Sequence, residues 1–258
     1  MRNRSIKGLT VLAASVAVST ALGLAGATAA SASSHVKPHA TTVCNNSTMP
    51  CTNISNLLLN QGNGPDFVQN ATGLGAVGGT NQGRKVNLRQ ASDTRINEDF
   101  VIRFVGTVGQ LCERGGVNSL DPTSYACLVY DFNGGSNYPV YQGQFAPDSN
   151  ESGFCVGALS ATLGFKIRLE RCGSPKSFWV ADLAASITIT VPAPFQPLVY
   201  FPLEFAADTS ASNPLVLTLN PNTTRPTNGL FLQQENFSGG SVPDRQMFTL
   251  TDPVGFTF

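Results

Sequence analysis

Three stretches of the sequence carry the same landmarks in the same order, and this internal repeat constrains the fold more than any other feature. Each stretch begins with a phenylalanine that is followed three residues later by Asn or Asp, and ten residues after the phenylalanine comes an apolar residue. A segment of alternating apolar and polar residues follows, and an aromatic residue opens the last alternating segment. The landmarks are Phe67, Val77, residues 85–90 and Phe100; Phe145, Cys155, residues 166–171 and Trp179; and Phe205, Leu215, residues 230–234 and Phe248.

The central copy shows the alternation most clearly. In residues 166–171 the apolar Ile167 and Leu169 alternate with charged residues, which is the period of a strand with one buried face and predicts that Glu170 faces water. A single unit of four strands cannot bury its apolar face alone, whereas three units around an axis share one core. Any all-β chain contains several alternating strands, but four landmarks in a constant order favour a threefold repeat. The predicted core is Phe67, Val86, Leu88, Phe145, Ile167, Leu169, Trp179, Phe205, Leu230, Leu232 and Phe248.

The central copy also resembles a known family. Residues 152–156 read Ser-Gly-Phe-Cys-Val, a Gly-x-x-Ile-x-Leu-x-x-Cys run extends from Gly164 to Cys172, and Trp179 follows. This pattern resembles the repeat of ricin-type β-trefoil lectins, which reads G-x-C-[LV], then G-x-x-V-x-L-x-x-C, then Q-x-W.

The other two copies keep less of the pattern. Residues 246–248 of the third copy read Gln-Met-Phe at the Q-x-W corner, and the first copy keeps only the spacing, with Glu-Asp-Phe at residues 98–100. The resemblance implies an all-β fold, a β-trefoil of three four-stranded repeats over residues 56–258. The repeats would span about residues 56–137, 138–196 and 197–258, with an inserted hairpin in the first.

The family's sugar-binding residues are not retained. In ricin-type lectins an aspartate just after the Cys-Val pair and an aromatic near the end of the third strand hold the sugar, with polar groups near the Q-x-W corner. The matching positions are Gly157, Glu170 and Ser177 in the second repeat, Gly79 and Arg89 in the first, and Leu217 and Gln233 in the third. No repeat keeps both the aspartate and the aromatic, so the scaffold matches while the pocket does not.

We therefore expect a non-catalytic recognition module, with a glycan as the first candidate ligand and a secreted protein, as for a protease inhibitor, as the alternative. The sequence assigns neither ligand-binding residues nor an oligomeric state. No histidine occurs in residues 41–258, which excludes a Ser-His-Asp or Cys-His nucleophile and a histidine-ligated metal. No catalytic residue, cofactor or metal site is predicted. The remaining catalytic alternative is a glycosidase-like pair of carboxylates, and Glu170 and Glu204 lie on predicted strands.

The six cysteines are predicted to form three disulfide bonds, as is usual in an exported chain. The sequence alone leaves the pairing open, but separations of 7, 15 and 17 residues favour neighbours in the chain. Zinc is the alternative, but zinc clusters usually have more closely spaced cysteine pairs, often with histidine. One bond would close the inserted hairpin and another would join two strands of the second repeat. The favoured pairs are Cys44–Cys51, Cys112–Cys127 and Cys155–Cys172.

Residues 1–32 have the features of an export signal. Arg2, Arg4 and Lys7 form a basic start, residues 8–30 carry no charge, and Ala-Ser-Ala at residues 30–32 offers a cleavage site. A retained membrane anchor is the alternative because the uncharged run is long enough to span a bilayer, but small and polar residues dominate it. We therefore expect a secreted, extracellular protein with an N-terminal arm at residues 33–55 and no membrane association after cleavage.

The charge composition excludes two classes of partner. The chain has 16 basic and 16 acidic residues, and removing the three basic residues of the signal leaves 13 against 16, a net charge of −3. Charged residues make up 12% of the chain, compared with about 25% in ordinary soluble proteins. A chain with so few charges and no basic cluster is not expected to bind nucleic acid or an anionic membrane.

Overall fold

The structure is a computed structural model that describes residues 53–60, 67–72, 81–90, 96–113, 119–130, 135–147, 151–190, 197–209, 213–220, 227–236 and 241–251. All of these residues belong to one unit, residues 35–258. The predicted export signal and the Cys44–Cys51 pair lie outside the described residues. Within them, no helix has the length and apolar character needed to cross a membrane.

Strands make up most of the described secondary structure, so the predicted all-β class is confirmed. The strands are β1 (Asn53–Asn56), β2 (Phe67–Ala71), β3 (Val86–Gln90), β4 (Phe100–Thr107), β5 (Pro139–Phe145), β6 (Phe154–Gly157), β7 (Arg168–Arg171), β8 (Trp179–Ala181), β9 (Ile187–Ile189), β10 (Leu198–Tyr200), β11 (Leu203–Phe205), β12 (Leu215–Asn220), β13 (Thr227–Gln234) and β14 (Phe248–Thr251). The helices are α1 (Leu57–Asn60), α2 (Val108–Glu113), a π-helix (Ala126–Tyr130) and 3₁₀ helices at Ile96–Glu98, Pro175–Ser177 and Asp244–Gln246.

Ten strands form one antiparallel sheet that is nearly closed and barrel-like. Its strands follow the order β2-β3-β13-β12-β11-β8-β5-β6-β7, and β4 pairs with β5 outside this path. The remaining strands form two pairs, β1 with β14 and β9 with β10. Since β1 begins at Asn53, the paired strands already include the end of the predicted N-terminal arm.

The strand pairing follows the sequence landmarks in part. Each corner aromatic follows a 3₁₀ helix and opens a strand; β4 pairs with β5 and β8 with β11, which end at the landmark residues Phe145 and Phe205. The third corner strand, β14, pairs with β1, which precedes the landmark Phe67; Phe67 instead opens β2, which pairs with β3 as β6 pairs with β7. The three alternating segments also meet one another. Strand β13 pairs with β3, and single bridges join Lys85 to Arg168 and Lys166 to Phe231.

The main core lies on one face of the large sheet and contains the predicted residues. Every predicted core residue whose side chain is described is buried, from Val86 in the first repeat to Phe248 in the third; the side chain of Phe67 is not described. The indole of Trp179 lies 5.5 Å from the ring of Phe205, and its Nε1 donates a hydrogen bond to the carbonyl oxygen of Val156 at 2.9 Å. The core prediction is confirmed for these residues because alternation is a local property of each strand.

The insertion in the first repeat is not the predicted hairpin. Its described residues form α2 and the π-helix, which the Cys112–Cys127 disulfide links. A helix places Val108 and Leu111 on one face because they are three positions apart, which the two-residue period of a strand does not allow. This face packs on the outer side of the sheet in a second apolar cluster that includes Val140 and Val180. The predicted Cys155–Cys172 disulfide, at the β6 and β7 strands, is also confirmed.

Candidate functional site

The lectin-pocket positions of the second repeat are filled by packed protein. A Cβ atom added to Gly157 would lie 2.1 Å from the carbonyl oxygen of Lys176, so position 157 has no room for a side chain. Ser177 is fully buried, and its Oγ accepts a hydrogen bond from the Nε2 of Gln142 at 2.7 Å. Leu217 of the third repeat is also fully buried, whereas Gly79 of the first lies outside the described residues.

The prediction that Glu170 faces water is wrong. Its side chain is 4% exposed, and its carboxylate accepts a hydrogen bond from the Nε2 of Gln82 at 3.4 Å. Glu170 is buried because another segment of the chain packs over β7. The amide of Gly83 donates a hydrogen bond to the carbonyl oxygen of Leu169 at 2.7 Å, and this contact places the segment that carries Gln82 over Glu170.

Three other acidic side chains come together from separate segments of the chain. Asp182 follows β8, Glu204 is the central residue of β11, and Glu235 follows β13. Their side chains are only 5%, 2% and 8% exposed, and one carboxylate oxygen from each lies within 4.8 Å of the others. The sequence predicted a strand position for Glu204 but did not place any acidic residue beside it.

The register of the sheet explains why the carboxylates meet. Val140 lies opposite Val180, which lies opposite Glu204, which in turn lies opposite Val216. Residues directly opposite one another share a face of the sheet, and Val140 and Val180 belong to the apolar cluster beneath the insertion. Glu204 therefore points to the outer face, and Asp182, two residues beyond Val180, alternates onto the same face.

Three tyrosines from the insertion and its exit lie over these carboxylates. The hydroxyl of Tyr130 donates to Glu204, and the hydroxyl of Tyr138 donates to Asp182. The ring of Tyr130 lies 5.6 Å from that of Tyr125, edge to face, and 5.0 Å from that of Tyr138. All three tyrosines are partly exposed. We call Tyr125, Tyr130, Tyr138, Asp182, Glu204 and Glu235 the tyrosine–carboxylate cluster.

The insertion holds the tyrosines in place. The Cys112–Cys127 disulfide closes it, and the buried side chains of Leu111 and Leu120 pack it on the sheet. Its backbone is also tied to the strands, because the amide of Tyr125 donates to the carbonyl oxygen of Asp208 at 2.7 Å. The cluster thus lies where a fixed insertion meets the sheet, which is the usual arrangement of a binding site on a rigid scaffold.

The electrostatics of the cluster are dominated by burial. Loss of solvent raises the pKa of Asp182 and of Glu204, and it raises the pKa of Glu235 to about 7, with the charge of Asp182 adding to the effect. Burial and the negative charge of Glu204 also raise the pKa of Tyr125 to about 12. In the part of the chain that the structure describes, no lysine or arginine pairs with any of the three carboxylates.

The oxygens of the three carboxylates are not equally satisfied. Glu204 accepts from Tyr130, and Asp182 accepts from Tyr138 and from the amide of Ala184 at 2.9 Å. The Oε1 atom of Glu235 is buried and has no hydrogen-bond partner. Chemically, such a group of oxygens can hold a proton, bind a cation, or position the tyrosine hydroxyls for an outside ligand.

Sequence reasoning missed this site because its members are spread over more than one hundred residues. The sequence shows only that Asp182 and Glu235 each follow a predicted strand, and many acidic residues do so. No protein-family model matches the chain, and no curated protein matches it significantly. The function therefore has to be argued from the site.

Proposed function

We propose that this protein is a secreted, non-catalytic recognition module on a ricin-type β-trefoil scaffold, and that it binds carbohydrate at the tyrosine–carboxylate cluster. Two observations support the scaffold: the 3₁₀ helix and corner aromatic occur three times, and the three corner strands β4, β8 and β14 each pair antiparallel with another strand, β5, β11 and β1 respectively. Two disulfides in the described residues support export, because such bonds persist in oxidising compartments.

The carbohydrate proposal rests on the juxtaposition of partly exposed tyrosine rings and carboxylates. Sugars present an apolar face of C–H groups that packs on aromatic rings, and hydroxyls that need fixed hydrogen-bonding groups. The family's pocket supplies these from an aromatic and an aspartate, which this chain lacks at positions 170 and 157. The cluster offers both kinds of group at another place on the scaffold.

The hydrogen bonds of the cluster suit it to polyol recognition although its carboxylates are buried. A tyrosine hydroxyl has one hydrogen to donate and can also accept. Because Tyr130 donates to Glu204 and Tyr138 donates to Asp182, the phenol oxygens remain available as acceptors for a ligand's hydroxyls. The carboxylates thereby orient the tyrosines, and the ligand contacts the partly exposed rings.

Titration of the purified protein against a broad panel of soluble and polymeric glycans tests this proposal. We expect binding that Tyr125→Ala weakens by about fivefold or more, since stacking on one ring is worth about 1 kcal/mol or more. Tyr125 is chosen because the other two tyrosines, Tyr130 and Tyr138, also donate hydrogen bonds to the carboxylates. Phe104→Ala is the matched control: Phe104 is 59% exposed but packs on Tyr141, outside the cluster.

Two results would count against the proposal: no binding across the whole panel, or equal loss in the Tyr125 and Phe104 variants. The same incubations should release no reducing sugar. Sugar release that Glu204→Gln abolishes would replace the non-catalytic proposal with the carboxylate-pair alternative.

A secreted protein partner is the second candidate. It is favoured by Leu159 and Leu163, which are 51% and 63% exposed in the connection between β6 and β7. Neighbouring exposed apolar side chains are typical of protein-contacting surfaces. If the glycan panel gives no binding, recovery of a secreted protease by pull-down, and its loss in Leu163→Ser, would support this candidate.

A further inference from the structure

The tyrosine–carboxylate cluster has a second property, which stands whether or not the protein binds sugar. Asp182, Glu204 and Glu235 carry up to three negative charges in a space that is nearly closed to solvent. Burying a charge without a compensating partner is strongly unfavourable, and no described lysine or arginine pairs with these groups. Among the residues that the structure describes, the balancing positive charge is therefore left to protons or to a bound cation.

The unpartnered oxygen of Glu235 favours a cation. Tyr130 and Tyr138 donate to Glu204 and Asp182, but nothing donates to the buried Oε1 of Glu235, whose carboxylate faces the other two. Buried acceptors are almost always satisfied in proteins, and a bound water or ion is one explanation of an exception. A metal ion would satisfy this oxygen and offset the negative charge in one step.

The number and kind of the ligands indicate which cation fits. One oxygen from each of three carboxylates lies within 4.8 Å of the others, and two oxygens bound to one Ca²⁺ at about 2.3–2.6 Å lie up to about 5 Å apart. Mg²⁺ is usually bound through one or two carboxylates and keeps several waters, so a set of three carboxylates favours Ca²⁺. An all-oxygen set of hard ligands is also the set that Ca²⁺ prefers.

We propose that Asp182, Glu204 and Glu235 bind a Ca²⁺ ion beneath the tyrosines of the insertion. Each carboxylate has about four lone-pair sites, so the hydrogen bonds from Tyr130 and Tyr138 leave oxygens free for the ion. These two tyrosines orient the ligands, and water completes the coordination of six to eight oxygens that Ca²⁺ takes. The sequence predicted no metal site because its cysteines and histidines do not form one, whereas the ligands proposed here are carboxylates.

Calcium titration of the full secreted chain, first stripped with EDTA, tests the proposal without any glycan. Calorimetry at about pH 8, where metal-binding carboxylates are deprotonated, should give one site with a Kd of about 10⁻⁴ to 10⁻³ M, the range of extracellular calcium modules. Calcium should also raise the Tm. Tb³⁺ bound in place of Ca²⁺ should luminesce on tyrosine excitation, because Tyr130 and Tyr138 contact its ligands.

Glu235→Gln keeps the shape of the side chain and removes its charge, and it should weaken calcium binding by about tenfold or more. Asp182→Asn is a second variant with the same expected effect, for use if the first does not fold. Glu170→Gln is the matched control because Glu170 is equally buried in the sheet but outside the cluster, and it should keep wild-type affinity.

The proposal is overturned if wild-type protein shows neither heat nor a Tm shift at millimolar calcium. It is also overturned if the cluster variants bind calcium as wild type does, since the ion would then lie elsewhere. Neither result tests carbohydrate binding, because no glycan is present in the calcium titration. Conversely, a glycan panel without binding would not contradict the calcium site.

Discussion

Replacing Gly157 by alanine tests directly whether the sugar-binding arrangement of ricin-type lectins could exist at this position. Gly157 ends β6 and lies against the turn at Pro175–Ser177, where the backbone of Lys176 passes close by. The family places an aspartate here, so the smallest possible side chain is the most stringent probe. We expect Gly157→Ala to be strongly destabilising.

The magnitude follows from the contact distances. The added Cβ would lie 2.1 Å from the carbonyl oxygen of Lys176, whereas ordinary C···O contacts begin near about 3.3 Å. The carbonyl would have to move by about 1 Å, and it accepts a hydrogen bond from the amide of Ala158 at 3.0 Å. Overpacking costs about 1–3 kcal/mol and a lost hydrogen bond about 1 kcal/mol. We therefore expect a loss of about 2–4 kcal/mol, or a Tm lower by roughly 5–15 °C.

Urea unfolding followed by the fluorescence of Trp179, the single tryptophan, measures this loss. Gly229→Ala is the matched control because Gly229 also lies in a strand, and a Cβ there would meet nothing within 4 Å. The control should keep wild-type stability to within about 1 kcal/mol. If Gly157→Ala unfolds at the wild-type urea midpoint, the contact with Lys176 is not as close as described. The family's aspartate would then have been sterically possible.

Four further predictions concern the core, the cluster, a disulfide and export. Trp179→Ala should lower the free energy of unfolding by about 3–5 kcal/mol as a buried large-to-small change, measured by circular dichroism; a loss below about 1 kcal/mol would contradict the core assignment. With calcium chelated, stability should fall as the pH rises from about 5 to 7. The reason is that the pKa of Glu235 is about 7 in the folded protein against 4.5 normally, so the folded state binds more protons in this window. The contribution of Glu235 is at most about 3 kcal/mol. The fall should be smaller in Glu235→Gln, where Asp182 and Glu204, whose pKa burial also raises, remain, and a rise in stability would contradict the prediction. Replacing Cys155 and Cys172 by alanine should cost about 3 kcal/mol in urea unfolding, and an unchanged midpoint would show that the bond does not constrain the unfolded chain. N-terminal sequencing of secreted protein should begin near Ala32, and a retained first methionine would contradict export with cleavage.

Features that depend on neighbouring residues in the chain could be predicted from the amino-acid sequence. Alternation within a strand decides which of its side chains share a face, so Ile167 and Leu169 could be assigned to the core without knowing the strand's partners. The Cys112–Cys127 and Cys155–Cys172 bonds were predictable for a similar reason, since each joins residues close together in the sequence.

What covers the other face of each strand depends on long-range packing, which the amino-acid pattern does not reveal. Alternation places Glu170 and Glu204 opposite the core, which for an isolated sheet means in water, yet both are buried. A neighbouring segment carrying Gln82 covers Glu170, and the helical insertion covers Glu204.

The tyrosine–carboxylate cluster also forms through packing of segments that are distant in the sequence. Its acids follow or occupy three strands that are adjacent only through the register of β8, β11, β12 and β13, and its tyrosines come from the insertion. Such an environment is the sum of long-range contacts, and no local pattern in the chain encodes it. The apolar pattern therefore predicted the core, whereas the candidate site exists only because distant segments pack together on the outside of the sheet.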